Sequence, residues 1–174
     1  MLAFSANRYE TGDRGYPLLV YTLVPLAALV LQAWLPGQPG CQFIVYVDLP
    51  FIVTVYFALG RRSPIKGTVL GCILGLMQDA LTHQAIGLNG ITKSIVGFVA
   101  ASVGLRIDET SRTVRLVLIV VLSLASNALY LFIFHQLLGF NLKWNWVTEL
   151  LRTLGNSVLA MLLFPLLDRL QLRD

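Results

Sequence analysis

Six apolar stretches, each close to the length of a helix that crosses a lipid bilayer, occupy most of this chain. They run 16–35, 43–59, 65–81, 86–105, 114–138 and 146–167. A spanning helix needs about 20 mostly apolar residues, since the hydrocarbon layer is about 30 Å thick and a helix rises about 1.5 Å per residue. The first stretch, Tyr16 to Leu35, carries no charge and stops at the helix-breaking Pro36-Gly37-Gln38-Pro39-Gly40. The second and third are the shortest, so a re-entrant second segment is the main rival to six crossings. The chain therefore reads as an all-α polytopic membrane protein. One six-helix domain, 16–167, lies between a polar N-terminal tail, 1–15, and a short C-terminal tail, 168–174.

Composition supports lipid as the solvent of this fold. Of 174 residues, 56% are hydrophobic and 13% charged, with a mean hydropathy of +0.74. A soluble domain carries about 25% charged residues, and half that supply cannot coat a globular surface. The same numbers exclude disorder. The basic pI of about 9.3 does not mark a nucleic-acid binder, because the positive charges form no stripe. They mark orientation instead. Arg8, Arg14, Arg61, Arg62, Lys66, Arg106, Arg112, Arg115, Arg169 and Arg173 fall on one side of the membrane, and Lys143 alone on the other. By the positive-inside rule both termini face the cytoplasm, and the basic loops attract anionic lipid headgroups. Trp34, Trp144 and Trp146 fall at the opposite boundary, as interfacial anchors do. The N-terminal apolar run reads as a signal anchor, being too long for a cleaved signal. Cys41 in a loop and Cys72 near mid-membrane are poorly placed for a disulfide.

Small residues recur at helical spacing. Gly67, Gly71 and Gly75 lie on one face of the third helix, and Ser94, Gly97, Ala101 and Gly104 recur along the fourth. Such faces let two backbones approach closely. They serve either the packing of helices three and four or the docking of another protein's transmembrane helix. Both uses need the same residues.

Polar groups inside the spans are expensive and find partners. Asp79 near the end of helix three and Lys93 in helix four should share a depth, as a structural ion pair or as a partner or ion site. Gln78, Thr82, His83 and Asn89 add polarity at the same mouth. On helix six, Glu149, Arg152, Thr153 and Asn156 share a face, and Glu149 can neutralise Arg152. Helix five carries Ser123, Ser126, Asn127 and Tyr130 on one stripe, with Asn127 near mid-membrane. These polar groups either glue helices together or line a cavity between helices four, five and six.

Catalytic chemistry is not legible. No serine, histidine and acid constellation appears, and His83 with His135 makes no metal site without a third ligand. Asp48 and Asp79 are two carboxylates on one side without a substrate signature. Asp48 before Pro50 reads as a helix start, the aspartate favouring the dipole and the proline fitting the first turn. No enzyme activity, metal or cofactor is expected.

The segment VDLPFIVTVYFALGRRSPIKGTVLGCILGLMQDALTHQAIGLNGITKSIVG, residues 47–97, resembles the rod shape-determining protein MreD family. The shared features are Asp48-Leu49 opening helix two, the basic Arg61-Arg62 loop, the Gly67, Gly71, Gly75 spacing, the G-L-x-x-D pattern ending at Asp79, and a small-residue helix four. Where the family often places proline before the helix-two aspartate, this chain has Val47. The resemblance implies a non-catalytic scaffold of the cell-elongation machinery in the bacterial inner membrane. It implies an MreC-like single-pass partner and, through the same complex, MreB filaments, RodA and a penicillin-binding transpeptidase. It supports cell shape and lateral peptidoglycan synthesis. On this reading Arg61, Arg62 and Lys66 meet cytoplasmic partners or lipid. The family fold resembles the substrate-binding subunits of energy-coupling-factor vitamin transporters, and such an uptake subunit is the alternative function. Against it, Ala27, Ala28 and Ala33 of helix one are not four apart, as that class's coupling pattern requires. An intramembrane enzyme acting on a lipid-linked precursor is a third, weaker reading.

Single cysteines placed beside Arg61 and beside Lys143 are expected to react with a membrane-impermeant thiol reagent from opposite sides. Labelling of both from one compartment contradicts the six-span topology.

Overall fold

The computed structural model describes residues 18–83, 85–107, 111–138 and 145–170. The expectations for Arg8, Arg14, Lys143, Trp144, Arg173 and the Arg112 side chain lie outside what it describes. Among the described residues every regular element is helical. Six α-helices follow in order: α1, Leu18–Trp34; α2, Leu49–Arg61; α3, Pro64–Leu81; α4, Leu88–Gly104; α5, Arg112–Leu138; and α6, Trp146–Asp168. Two short 3₁₀ turns, Leu35–Gly37 and Gln42–Tyr46, join α1 to α2.

The second apolar stretch is not one helix over 43–59. A 3₁₀ turn ends at Tyr46, Val47 is extended, and α2 starts only at Leu49. Asp48 sets that start: its carboxylate accepts a 3.0 Å bond from the Phe51 N–H, and Pro50 occupies the first turn, where no N–H is missed. At the other end Arg62 adopts a left-handed conformation, φ 49°, and Pro64 opens α3. The resulting α2 has 13 residues, about 20 Å of helix. Every residue from Pro50 to Gly60 is buried.

This short helix is the axis of the molecule. Helices α1, α3, α4 and α6 pack on it, and α5 packs on α4 and α6. Phe51, Ile52, Val55, Phe57 and Leu59 form its part of the core, with Leu29 of α1, Val96 and Ala100 of α4, and Phe164 of α6. A wall of protein therefore surrounds α2 where a full-length span would meet lipid. Among the described residues three segments qualify by length and composition to cross a membrane, Leu19–Gly37, Thr113–Gln136 and Trp146–Asp168; α2 and α4 are shorter apolar helices.

The outer faces are apolar. Leu23 and Val30 of α1, Ile65 and Ile73 of α3, Val121 of α5, and Val158 and Leu162 of α6 are all more than half exposed. Water would not tolerate so continuous an apolar surface, whereas lipid tails do. Asp79, Lys93, Ser123, Glu149 and Asn156 are buried instead. The exposed apolar faces and the buried charge together mark a membrane protein.

Of the two uses of the small-residue faces, the structure displays packing. Gly67, Gly71 and Gly75 all face α4. A Cβ on Gly67 would lie 2.5 Å from the Gly97 carbonyl oxygen and 3.1 Å from the Ala101 methyl. On Gly71 it would collide with the Lys93 carbonyl, and on Gly75 with that of Asn89. Gly104 in turn abuts α2, where a Cβ would stand 2.7 Å from the Leu59 oxygen. The Ser94 hydroxyl donates to the Gly90 carbonyl of its own helix, 2.7 Å away, so it asks for no partner elsewhere.

Alanine is ordinarily the better helix former, but at Gly71 the clash is with backbone and outweighs propensity. Gly71→Ala is expected to cost about 1–3 kcal/mol through overpacking. Gly37→Ala, with open space at its Cβ, should stay within about 0.5 kcal/mol of the parent. Denaturant titration of both variants in detergent reads the difference.

Candidate functional site: a buried polar network

The break between the 3₁₀ turn and α2 leaves backbone groups of residues 47–49 without helical partners. Two helices answer them, α6 with the support of a third. Gln32 of α1 uses both ends of its amide: its Nε2 donates to the Val47 carbonyl at 2.9 Å, and its Oε1 accepts from the Leu49 N–H at 2.9 Å. Asn156 of α6 accepts from the Asp48 N–H at 2.8 Å. Its Nδ2 then donates to the Ser123 hydroxyl of α5 at 3.0 Å. Gly155 lets α6 come this close, since a Cβ there would stand 3.0 Å from Val47 Cγ2 and 3.2 Å from the Tyr46 carbonyl oxygen.

Asp48 is shared between two tasks. One oxygen caps α2; the other takes the Lys93 ammonium at 2.6 Å. Lys93 is 1% exposed, while the Asp48 side chain is 27% exposed. Lys93 also donates to the Asn89 side-chain oxygen at 3.1 Å, and Asn89 Nδ2 donates to Asp79 at 2.7 Å. Asp79 further accepts from the N–H groups of Gly87 at 2.9 Å, Asn89 at 3.1 Å and Gly90 at 3.4 Å. A carboxylate of α3 thus caps α4, whose own N-cap is Gly87 at φ 104° with no side chain to offer. The positive end of the α4 dipole stabilises this buried charge.

The expected direct pair of Asp79 with Lys93 is therefore corrected. Asp79 spends its oxygens on the start of α4, and Lys93 lies one turn deeper, opposite Gly71. Asn89 bridges the two charges. Glu149 and Arg152 do meet, at a loose 3.5 Å, with Glu149 buried and the Arg152 side chain 38% exposed. Asn127 stays outside the network, its Nδ2 without a hydrogen-bond partner. At the opposite end of the bundle, the Arg61 guanidinium lies 3.9 Å over the Tyr21 ring, and Lys66 is exposed. There too Asp168 accepts from the Tyr56 hydroxyl at 2.9 Å and from Arg115 at 2.7 Å.

The sequence reading places Ser123 on the polar stripe of helix five but singles out neither Gln32 nor Asp168. Gln32 had a signal: it is the lone amide in a charge-free apolar helix. The network reaches one polar side chain in each of α1, α2, α3, α5 and α6 and two in α4. Its chemistry is that of a lock, in which donors meet acceptors and buried charges meet charges or helix ends. It sets helix positions and presents no paired nucleophile and base.

Compared with known families, the chain matches the family model described as MreD, rod shape-determining protein MreD, over residues 13–172. No curated protein and no solved structure matches it.

Removing one member of the Asp48–Lys93 pair strands the other charge. Asp48→Asn is expected to cost about 3–5 kcal/mol, whereas Asp48→Asn with Lys93→Met should recover more than half of that loss. A double-mutant cycle in detergent measures the coupling. Additive losses would show that the pair does not hold the fold.

Proposed function

This chain belongs to the rod shape-determining protein MreD family, and on that premise we propose that it is a non-catalytic scaffold of the cell-elongation complex in the bacterial inner membrane. It crosses the membrane six times with both termini in the cytoplasm. It binds an MreC-like single-pass protein and through that complex supports lateral peptidoglycan synthesis by RodA and a penicillin-binding transpeptidase, in register with MreB.

The observation that carries this reading is the family match across nearly the whole chain, which ties the protein to rod-shape determination. The internal architecture supports it. The buried polar side chains of α2, α3 and α4 are largely consumed in holding the bundle together, as a rigid adaptor requires. The glycine face of α3 is occupied by α4, so a partner helix is received elsewhere. The apolar outer faces, including that of α3 at Ile65, Val69 and Ile73, are the surfaces open to it.

Depletion in a rod-shaped host is expected to turn rods into spheres. The parent chain and Gly37→Ala should restore rods. Lys93→Met should not, unless Asp48→Asn accompanies it. An MreC-like protein should co-purify wherever shape is restored. Cells that stay rod-shaped and instead lose growth on one nutrient would overturn the scaffold in favour of uptake.

A further inference from the structure

The Asn156–Ser123 bond fixes the register of α5 against α6, two consecutive helices that run in opposite directions. From that point Asn127 and Tyr130 lie four and seven residues onward in α5. Arg152 and Glu149 lie four and seven residues back in α6. At about 1.5 Å per residue, Asn127 stands level with Arg152 roughly 6 Å along, and Tyr130 level with Glu149 roughly 10 Å along. The end of the bundle where α6 begins thus collects these polar groups in one layer.

Hydrogen bonding in that layer is incomplete. Asp48 and Lys93 neutralise one another. Asp79 is satisfied by the backbone of α4. Glu149 is 7% exposed, yet among the described residues its Oε1 has Arg152 at 3.5 Å and its Oε2 has no hydrogen-bond partner. Asn127 Nδ2 is equally unpartnered. A carboxylate oxygen buried in a membrane bundle without a donor is costly. Arg152 reaches only the other oxygen, at 3.5 Å, with its own side chain 38% exposed. The neighbouring surface is made for lipid: Trp146, Val147 and Leu150 are 72%, 67% and 58% exposed, and tryptophan sits at headgroup depth.

We propose that this end of the α5–α6 seam binds the headgroup of a phospholipid bearing a primary ammonium, with Glu149 receiving the ammonium and Arg152 the phosphate. An ammonium supplies the missing N–H donors, and it balances Glu149 when Arg152 turns to the phosphate. The phosphate beside it suits the half-exposed guanidinium, which pairs with phosphate in bidentate fashion. Asn127 offers a further donor to the glycerophosphate oxygens. The acyl chains continue along the apolar outer face of α6 at Leu154, Val158 and Leu162. The site depends on the membrane setting and not on the scaffold role.

Native mass spectrometry of the full chain in detergent tests this with phosphatidylethanolamine, its mono-, di- and trimethylated forms, and phosphatidylglycerol. Retention should fall stepwise with N-methylation, by a factor of about ten from ethanolamine to choline, a difference of about 1.4 kcal/mol. Glu149→Gln should bring that ratio near one, and Arg152→Gln should weaken every phospholipid alike. Equal retention of ethanolamine and choline lipids by the parent chain would overturn the site. So would a preference that survives Glu149→Gln. The parent-chain series decides the matter even if the variant fails to fold. Glycerophosphoethanolamine displacing the lipid at equal concentration would assign the site to a free headgroup and refute the lipid.

Discussion

The contact between the Lys93 ammonium and the Asp48 carboxylate, at 2.6 Å, joins the two halves of the buried network. A lysine that is 1% exposed is tolerable in a membrane bundle only beside a fixed negative charge. Asp48 can be that charge because it is already fixed as the residue that starts α2. From it the bonds run one way through Asn156 to Ser123, and the other way through Lys93 and Asn89 to Asp79. Loss of the pair would uncouple the start of α2 from the start of α4, and these are the two helix ends on which the neighbouring helices are hung.

The α3–α4 seam works on a different principle. Lipid tails supply no hydrophobic drive between helices, so close backbone approach and dispersion must supply the adhesion. Three glycines in register let the α3 backbone lie directly against the carbonyls of Asn89, Lys93 and Gly97. That approach also puts Lys93 at the depth of Asp48 and Asn89 at the depth of Asp79. Seam and network are therefore not independent: a side chain on α3 that pushed α4 outward would draw the ammonium away from its carboxylate.

A fold of this kind suits membership of a rod shape-determining family. The axial helix is shielded on every side, the charges are internal, and the outer surface is apolar. The loose Glu149–Arg152 pair contrasts with the tight Asp48–Lys93 pair, since one of its buried carboxylate oxygens is left unanswered.

Much of this was legible from residue order alone, because the signals are local. Apolar runs, the glycine spacing of α3, the polar stripe of α6 and the helix start at Asp48–Pro50 are all patterns within about one helix. What the order of residues could not decide is who meets whom. Asp48 and Lys93 are 45 residues apart, and Asp79 looked the nearer partner until the α4 N-terminus claimed it. Nor could a run of apolar residues reveal that the second segment breaks at Val47, or that the helix after the break is the core. Those choices depend on which backbone groups are left unpaired once six helices have packed, and only tertiary structure determines that.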